Sequence, residues 1–370
     1  MKCAEIVKSL ETTTEAVDAV RDLLGHVPNL EIGSVDYEEN VGRDYQIDLR
    51  IALIRGGLNY ALIIEVKGNG APRFVRSAIY HLRDYVAHVD QSNHADVDQR
   101  LIPMLVSPYL SPESRAICTD HNVAYLDLFG NAYLAFDGVY IDRAVADKPK
   151  AESRALRSIF NPKAAAILRV MLRDPDRAWR VTDLAEKANA SLGHVSNVRK
   201  ALLEREWIEK RADGVVLIQP DALLKTWREN YRRPVGHRIT GYTHLHGKQL
   251  DDQLSRALNP HPQRPRAIYS LHSAAQWFAP FGRDGTHTFY ADESGAQFLQ
   301  ETLRLVSVTK GANVVLHIPN DESLFDDAIE LALGIFCTSP IITYLDLWNG
   351  NDRDREAAEY VAKECFPWLE

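Results

Sequence analysis

Tyr60-Ala61-Leu62-Ile63-Ile64-Glu65-Val66-Lys67 is an apolar run that ends in two charges spaced two residues apart. Its β-branched content predicts a strand, and the period of two puts Glu65 and Lys67 on one face. The stretch Asp44 to Lys67 holds a second apolar-alternating run, Tyr45 to Leu53, separated from the first by Arg55-Gly56-Gly57, a hairpin signal. If Asp48 projects from the same face of the neighbouring strand, two carboxylates can share a divalent cation while Lys67 holds a phosphate or an attacking water. Hard oxygen ligands favour Mg²⁺ or Mn²⁺. The other reading of these residues is the solvated face of a half-exposed sheet with an ordinary surface ion pair, which is common and worth little.

The flanks extend the pattern. A helix-like segment from Thr12 to Leu24 precedes the strands, an amphipathic one from Pro72 to Val89 follows them, and Leu101 to Ser107 and Val123 to Leu128 come next. Asp48 followed by Glu65-x-Lys67 within this order resembles the PD-(D/E)XK nuclease superfamily with its αβββαβ core. Ile47 stands where that family's name-giving Pro would be. The resemblance implies a restriction-endonuclease-like domain over residues 1–146, with Asp48, Glu65 and Lys67 as catalytic residues and Asp48 and Glu65 as ligands of Mg or Mn. Glu15 could add a carboxylate or simply be exposed on an amphipathic helix. Arg73 and Arg76 could meet DNA phosphates or cover a helix face. Asp127 with Gly130-Asn131 reads as a turn after a core strand, or as an acceptor behind the Asp48 site.

The chain has 370 residues, 45% hydrophobic and 25% charged, which suits two or three globular domains. No segment is apolar enough to span a membrane, and the start Met1-Lys2-Cys3-Ala4-Glu5 lacks a signal-peptide core, so the cytoplasm is the expected compartment. Cys3, Cys118, Cys337 and Cys365 lie far apart, a spacing that suggests neither a zinc knuckle nor a disulfide framework.

Net charge is −8, yet residues 147–238 carry 20 Lys and Arg against 12 Asp and Glu. A basic module in an acidic body suits a localised phosphate contact; alternatively the cations merely cover helices. The same region has the pattern of a winged helix-turn-helix over residues 147–235. Asn161 and Pro162 open a helix with an apolar face that ends near Asp174-Pro175. Trp179-Arg180-Val181 is a short strand candidate, Thr182 caps a second helix, and Ser191-Leu192-Gly193 makes the turn. The third helix, from about His194 to Glu206, turns Val195, Val198, Leu202 and Leu203 inward and leaves His194, Ser196, Asn197, Arg199 and Lys200 for double-stranded DNA. Lys200, Arg205 and Lys210 suit phosphates. Arg211-Ala212-Asp213-Gly214 between two short strands reads as a wing with Arg211 at its tip, and Asp221 to Asn230 as a closing helix. A winged helix used only for dimerisation or protein contact is the alternative.

Residues 236–370 read as an α/β domain of unknown role. Strands are expected at Ala267 to Leu271, His287 to Ala291, Asn313 to Ile318 and Ile341 to Leu345, and helices at Ser273 to Phe278, Gly295 to Leu305 and Arg355 to Cys365. His244 and His246 could share a strand face and a metal, but two imidazoles without a third ligand are more often structural. Asp321, Glu322, Asp326 and Asp327 read as caps and solvated surface. Tyr125-Leu126-Asp127-Leu128 recurs as Tyr344-Leu345-Asp346-Leu347 with unrelated flanks, which makes no repeat. The expected fold class is therefore α/β, as an α+β multidomain chain.

A second resemblance runs from Phe160 onward. Asn161-Pro162-Lys163-Ala164-Ala165, Trp179-Arg180-Val181, Ser191-Leu192-Gly193-His194-Val195-Ser196, Tyr344-Leu345-Asp346-Leu347 and Arg355-Glu356-Ala357-Ala358-Glu359 are similar to the AbiEi-type regulators of type IV toxin-antitoxin systems. The resemblance implies repression through the winged helix and neutralisation of a nucleotidyltransferase-like toxin. The simplest members begin with the winged helix, whereas here a nuclease-like domain precedes it. Two expectations follow: a DNA-binding transcriptional regulator, a homodimer if its operator is symmetric, or a Mg- or Mn-dependent endonuclease targeted by its winged helix.

Overall fold

The computed structural model describes residues 2–40, 46–91, 99–258, 266–280, 285–308, 310–332 and 335–369, with side chains undescribed at 2–12, 38–40, 90–91 and 256–257. Asp44 and Tyr45, the start of the quoted stretch, lie outside the described residues. The protein is a mixed α/β chain of several sheets. It divides into two compact units, residues 1–154 with 202–206, and residues 155–201 with 207–370.

The first unit opens with α1 (Lys2–Gly25), β1 (Leu30–Asn40), β2 (Gln46–Arg55), β3 (Leu58–Val66), α2 (Pro72–Gln91) and β4 (Gln99–Ser107). It continues with α3 (Pro112–Asp120), β5 (Ala124–Asp127), β6 (Ala132–Phe136) and β7 (Val139–Arg143). The seven strands form one sheet in sequence order; β3, β4 and β5 run parallel and the other neighbours antiparallel. Alternation sorts the strand residues between two cores. Leu49, Ile51, Leu53, Tyr60, Leu62 and Ile64 pack with Val17, Val20 and Leu24 of α1. Ala61 and Ile63 pack on the other side with Val75, Ala78, Ile79 and Leu82 of α2, whose spacing is that of a helix stripe. Gly56 and Gly57 turn β2 into β3 with φ of 58° and 79°, a left-handed pair that side chains other than glycine resist.

The second unit begins with helices, α4 (Lys150–Ile159) reaching into it from the first, then α5 (Pro162–Arg173), α6 (Val181–Lys187) and α7 (Leu192–Glu204). The hairpin β8 (Ile208–Arg211) and β9 (Gly214–Leu217) and helix α8 (Pro220–Asn230) follow. Asn161 caps α5 by accepting from the Ala164 amide at 3.0 Å. Two local expectations shift. Only Trp179 forms a strand-like bridge, to Val215, and Val181 already begins α6; its cap position is held by Arg180, without a side-chain bond, so Thr182 does not cap it.

Beyond lie β10 (Gly236–Tyr242), α9 (Gly247–Leu258), β11 (Ala267–Tyr269), α10 (Leu271–Phe278), β12 (His287–Ala291), α11 (Glu293–Thr302) and β13 (Val306–Ser307). The chain ends with β14 (Val314–Pro319), a 3-10 turn, β15 (Ile329–Ala332), β16 (Ile335–Cys337), α12 (Pro340–Trp348) and α13 (Asp352–Cys365). The sheet order is β13-β10-β14-β12-β11-β16-β15. The strand expected at Ile341 to Leu345 is helical, within α12. Every residue from Ile341 to Leu347 is buried, Thr343 and Asp346 included, so the run is buried all round and carries no period to separate helix from strand. His244 and His246 lie in coil rather than on a strand.

Candidate functional site

The ladder between β2 and β3 ends at the pair Leu49↔Ile64, after which β3 stays with β4 alone through Glu65↔Leu105 and Val66↔Val106. Ile64 belongs to the α1-side core, so Glu65 turns toward α2, and one further register step would set Asp48 across from it. Asp48 holds the strand end together: its Oδ2 accepts from the Val66 amide at 2.7 Å. Glu65 is 4% exposed, and its Oε1 is ion-paired with Lys67 Nζ, which satisfies the charge that burial would otherwise penalise. His81 of α2 adds its Nδ1 at 3.6 Å from the same oxygen. Sequence reasoning missed His81 because a lone exposed histidine on an amphipathic helix carries no signal of the strand it overhangs.

The other expected participants lie elsewhere. Glu15 is exposed on α1, whose apolar face packs on the opposite side of the sheet. Arg76 is engaged by Glu206 at 2.7 Å, and Arg73 is exposed. Asp127 is buried and organises its own turn: Oδ1 accepts from the Phe129, Gly130 and Asn131 amides at 2.9–3.1 Å, and Oδ2 from Leu110 N and Asn131 Nδ2 at 2.9 and 2.7 Å. Among the described residues no group of three or more His, Cys, Asp or Glu is placed to hold a metal, His244 and His246 included. A cation beside Asp48 and Glu65 would draw its remaining ligands from water and substrate.

The second candidate site is the surface of α7 and the hairpin. Val195, Val198 and Leu202 are buried, which fixes the helix's rotation. Asn197 and Lys200 are then exposed, and His194, Ser196 and Arg199 half-buried. Ser191 Oγ accepts from the His194 amide at 3.3 Å at the helix start. Lys210 and Arg211 are exposed on β8, Arg211 with Glu209 at 3.6 Å. The hairpin is tied to Trp179 through Val215 and to the Trp207 carbonyl through the Ile218 amide, and both tryptophans are buried.

The back of α5 shows why one surface expectation fails. Arg169, 5% exposed, meets Asp327 at 2.9 Å, and Arg173 pairs with the other oxygen of the same carboxylate. Asp327 is thus a half-buried partner of two arginines and not solvated surface; Asp321 does cap, accepting from the Ser323 amide at 2.8 Å. A buried acid, Asp346, accepts from Tyr231 Oη at 2.8 Å and Tyr290 Oη at 3.0 Å, with Arg233 3.9 Å away. Burial pushes its carboxyl up to about 6, against the lowering pull of the Tyr231 hydrogen bond, Arg233 and the Tyr290 hydrogen bond. These bonds tie α5 and the end of α8 to the C-terminal sheet and its helices.

Residues 178–235, from Trp179's approach through the hairpin and α8, match the model of a family described as Firmicute plasmid replication protein (RepL). No curated protein matches the chain. No helix among the described residues is long and apolar enough to cross a membrane.

Proposed function

We propose that this chain binds double-stranded DNA through α7 and the β8–β9 hairpin, which with α5, α6 and α8 make a winged helix-turn-helix. The observation that carries the reading is the coincidence of two things in one stretch. The family named for plasmid replication matches residues 178–235, and that stretch turns Asn197, Lys200, Lys210 and Arg211 to solvent. His194, Ser196, Asn197 and Arg199 would face base edges, and Lys200, Lys210 and Arg211 phosphates. The proposed role is transcriptional regulation of AbiEi type, as a homodimer with a cognate nucleotidyltransferase-like toxin, supported by the sequence resemblance from Phe160 onward. Duplex binding measured across a salt series tests the core of this reading: it fails if Arg199→Ala and Lys200→Ala leave both affinity and salt slope unchanged.

A second reading, a nuclease of PD-(D/E)XK type, is favoured by the opposed positions of Asp48 and Glu65 and the Lys67–Glu65 pair. The donor set fits a hard cation: both are carboxylates, and the Val66 amide engages only Asp48 Oδ2. Bound Mg or Mn would polarise a phosphoryl oxygen and acidify a water. Asp48 and Glu65 would hold it, and Lys67 would orient the attacking water or a phosphate oxygen. Incubation with supercoiled, linear, branched and single-stranded DNA in Mg²⁺ or Mn²⁺ separates the readings. Cutting lost in both Glu65→Ala and Lys67→Ala establishes the nuclease; binding without cutting leaves the regulator, with the N-terminal fold repurposed.

A further inference from the structure

At the other end of β2, seven residues and so roughly 23 Å from Asp48, a cavity of about 360 Å³ opens between the end of α1, Arg55 and the β6–β7 hairpin. Its charged lining residues are Arg55, Arg143 and His26, and no carboxylate lines it. Both guanidinium groups are aimed by neutral dipoles. Arg55 Nη1 donates to the Asp137 carbonyl, and Arg143 Nε to the Gly130 carbonyl. Neither is ion-paired with a carboxylate among the described residues, and the buried Arg55 Nε has no acceptor there. The Asp137 carboxylate is taken by Tyr60 Oη and lies 4.0 Å from Arg100 instead. Two fixed, uncancelled guanidinium charges at the wall of a concave site are a demand for a multivalent oxyanion.

His26 Nδ1 lies 2.7 Å from the Asp22 carbonyl, which can only accept; the proton is therefore on Nδ1 and Nε2 remains for a ligand. The volume lies at the small end of ligand sites, suited to a ligand of modest size.

We propose that this cavity binds a phosphate monoester, with the phosphate on Arg55 and Arg143. A free mononucleotide and the 5′-terminal phosphate of a DNA strand share that chemistry. The inference does not depend on how α7 is used.

The test is calorimetric titration of the full chain with AMP, adenosine and inorganic phosphate, repeated on Arg143→Gln, an exposed side chain, with the fold of the variant checked by circular dichroism. A second arm compares 5′-phosphorylated and 5′-hydroxyl forms of one oligonucleotide. Saturable AMP binding is expected, weakened at least tenfold in Arg143→Gln. A preference for the 5′-phosphorylated strand that disappears in Arg143→Gln assigns the site to DNA ends, and AMP binding without that preference assigns it to free nucleotide. The proposal is overturned if neither AMP nor the 5′-phosphate shows saturable recognition, or if Arg143→Gln leaves that recognition intact.

Discussion

The ends of β2 and β3 and the outer surface of α7 both concentrate charge, and they do so by opposite means. At the strand ends Glu65 is buried and tied to Lys67, while Asp48 is fixed by a backbone amide. On α7 and the hairpin, Asn197, Lys200, Lys210 and Arg211 stand in solvent, and the helix is held by what lies beneath them. A buried ion pair is expensive to assemble and expensive to break from one side, because the survivor keeps its desolvation penalty. An exposed cation costs almost nothing to add or remove. The first arrangement couples site chemistry to stability; the second leaves the two separable.

Breaking the buried pair should give the largest effect. Lys67→Ala is expected to destabilise the first unit by about 3 kcal/mol, at the low end for such pairs because Lys67 is 28% exposed. Denaturant unfolding of Lys67→Ala, Glu65→Ala and the double variant gives a cycle in which the double costs clearly less than the sum. Additive losses would mean that the two charges do not meet in solution, and the contrast between the regions would disappear.

Asp346 extends the contrast to the second unit through pH. Its carboxyl is raised from 3.8 to about 6, so the folded state holds the proton more tightly than the unfolded chain. The associated stability is complete below the unfolded value and is lost as pH rises through about 6. By the size of the shift the loss is about 3 kcal/mol. Thermal unfolding from pH 3.5 to 7 should show this slope in the native chain and not in Asp346→Asn; an unchanged slope in the variant would assign the titration to another group.

Much of this was legible in the sequence wherever a period or a cap marked it. The strand around Asp48 alternates, the run into Glu65 is short, β-branched and preceded by a glycine turn, α2 and α7 carry apolar stripes, and Asn161-Pro162 marks the start of α5. Ion partners at long sequence separation were not legible. Nothing near Asp327 announces that it meets Arg169 and Arg173, and nothing near Tyr231 announces Asp346. Such partners are chosen by the packing of elements, so their residue types look like ordinary surface until the elements are assembled. The run Ile341 to Leu345 failed for the complementary reason: burial on every side erases the pattern that sequence reading depends on.

Gly214 tests whether the hairpin is as rigid as its role requires. A Cβ there would stand 2.6 Å from the Trp179 carbonyl oxygen, inside contact distance of a backbone that cannot rotate away. Gly214→Ala is therefore expected to cost about 1–2 kcal/mol through displacement of the Trp179–Val215 bridge. Burial of Trp179 makes its fluorescence the readout: a red shift on substitution reports the opening, and an unshifted spectrum with unchanged stability would show that the hairpin yields without strain.

The smallest stability effect belongs to the residues with the largest proposed effect on binding. Arg199→Ala and Lys210→Ala should each change unfolding free energy by less than about 0.5 kcal/mol, since neither side chain supports the core. Their losses should instead divide by kind. Removing a phosphate contact at Lys210 weakens every duplex alike and lowers the salt slope by about one, whereas removing a base contact at Arg199 relaxes preference among sequences. If both variants bind all duplexes as the native chain does, Arg199 and Lys210 are mere solubilising cover for α7 and the hairpin. The constellation at Asp48, Glu65 and Lys67, with Glu65 buried at its centre, would then be the part of the molecule whose charges are kept at a cost.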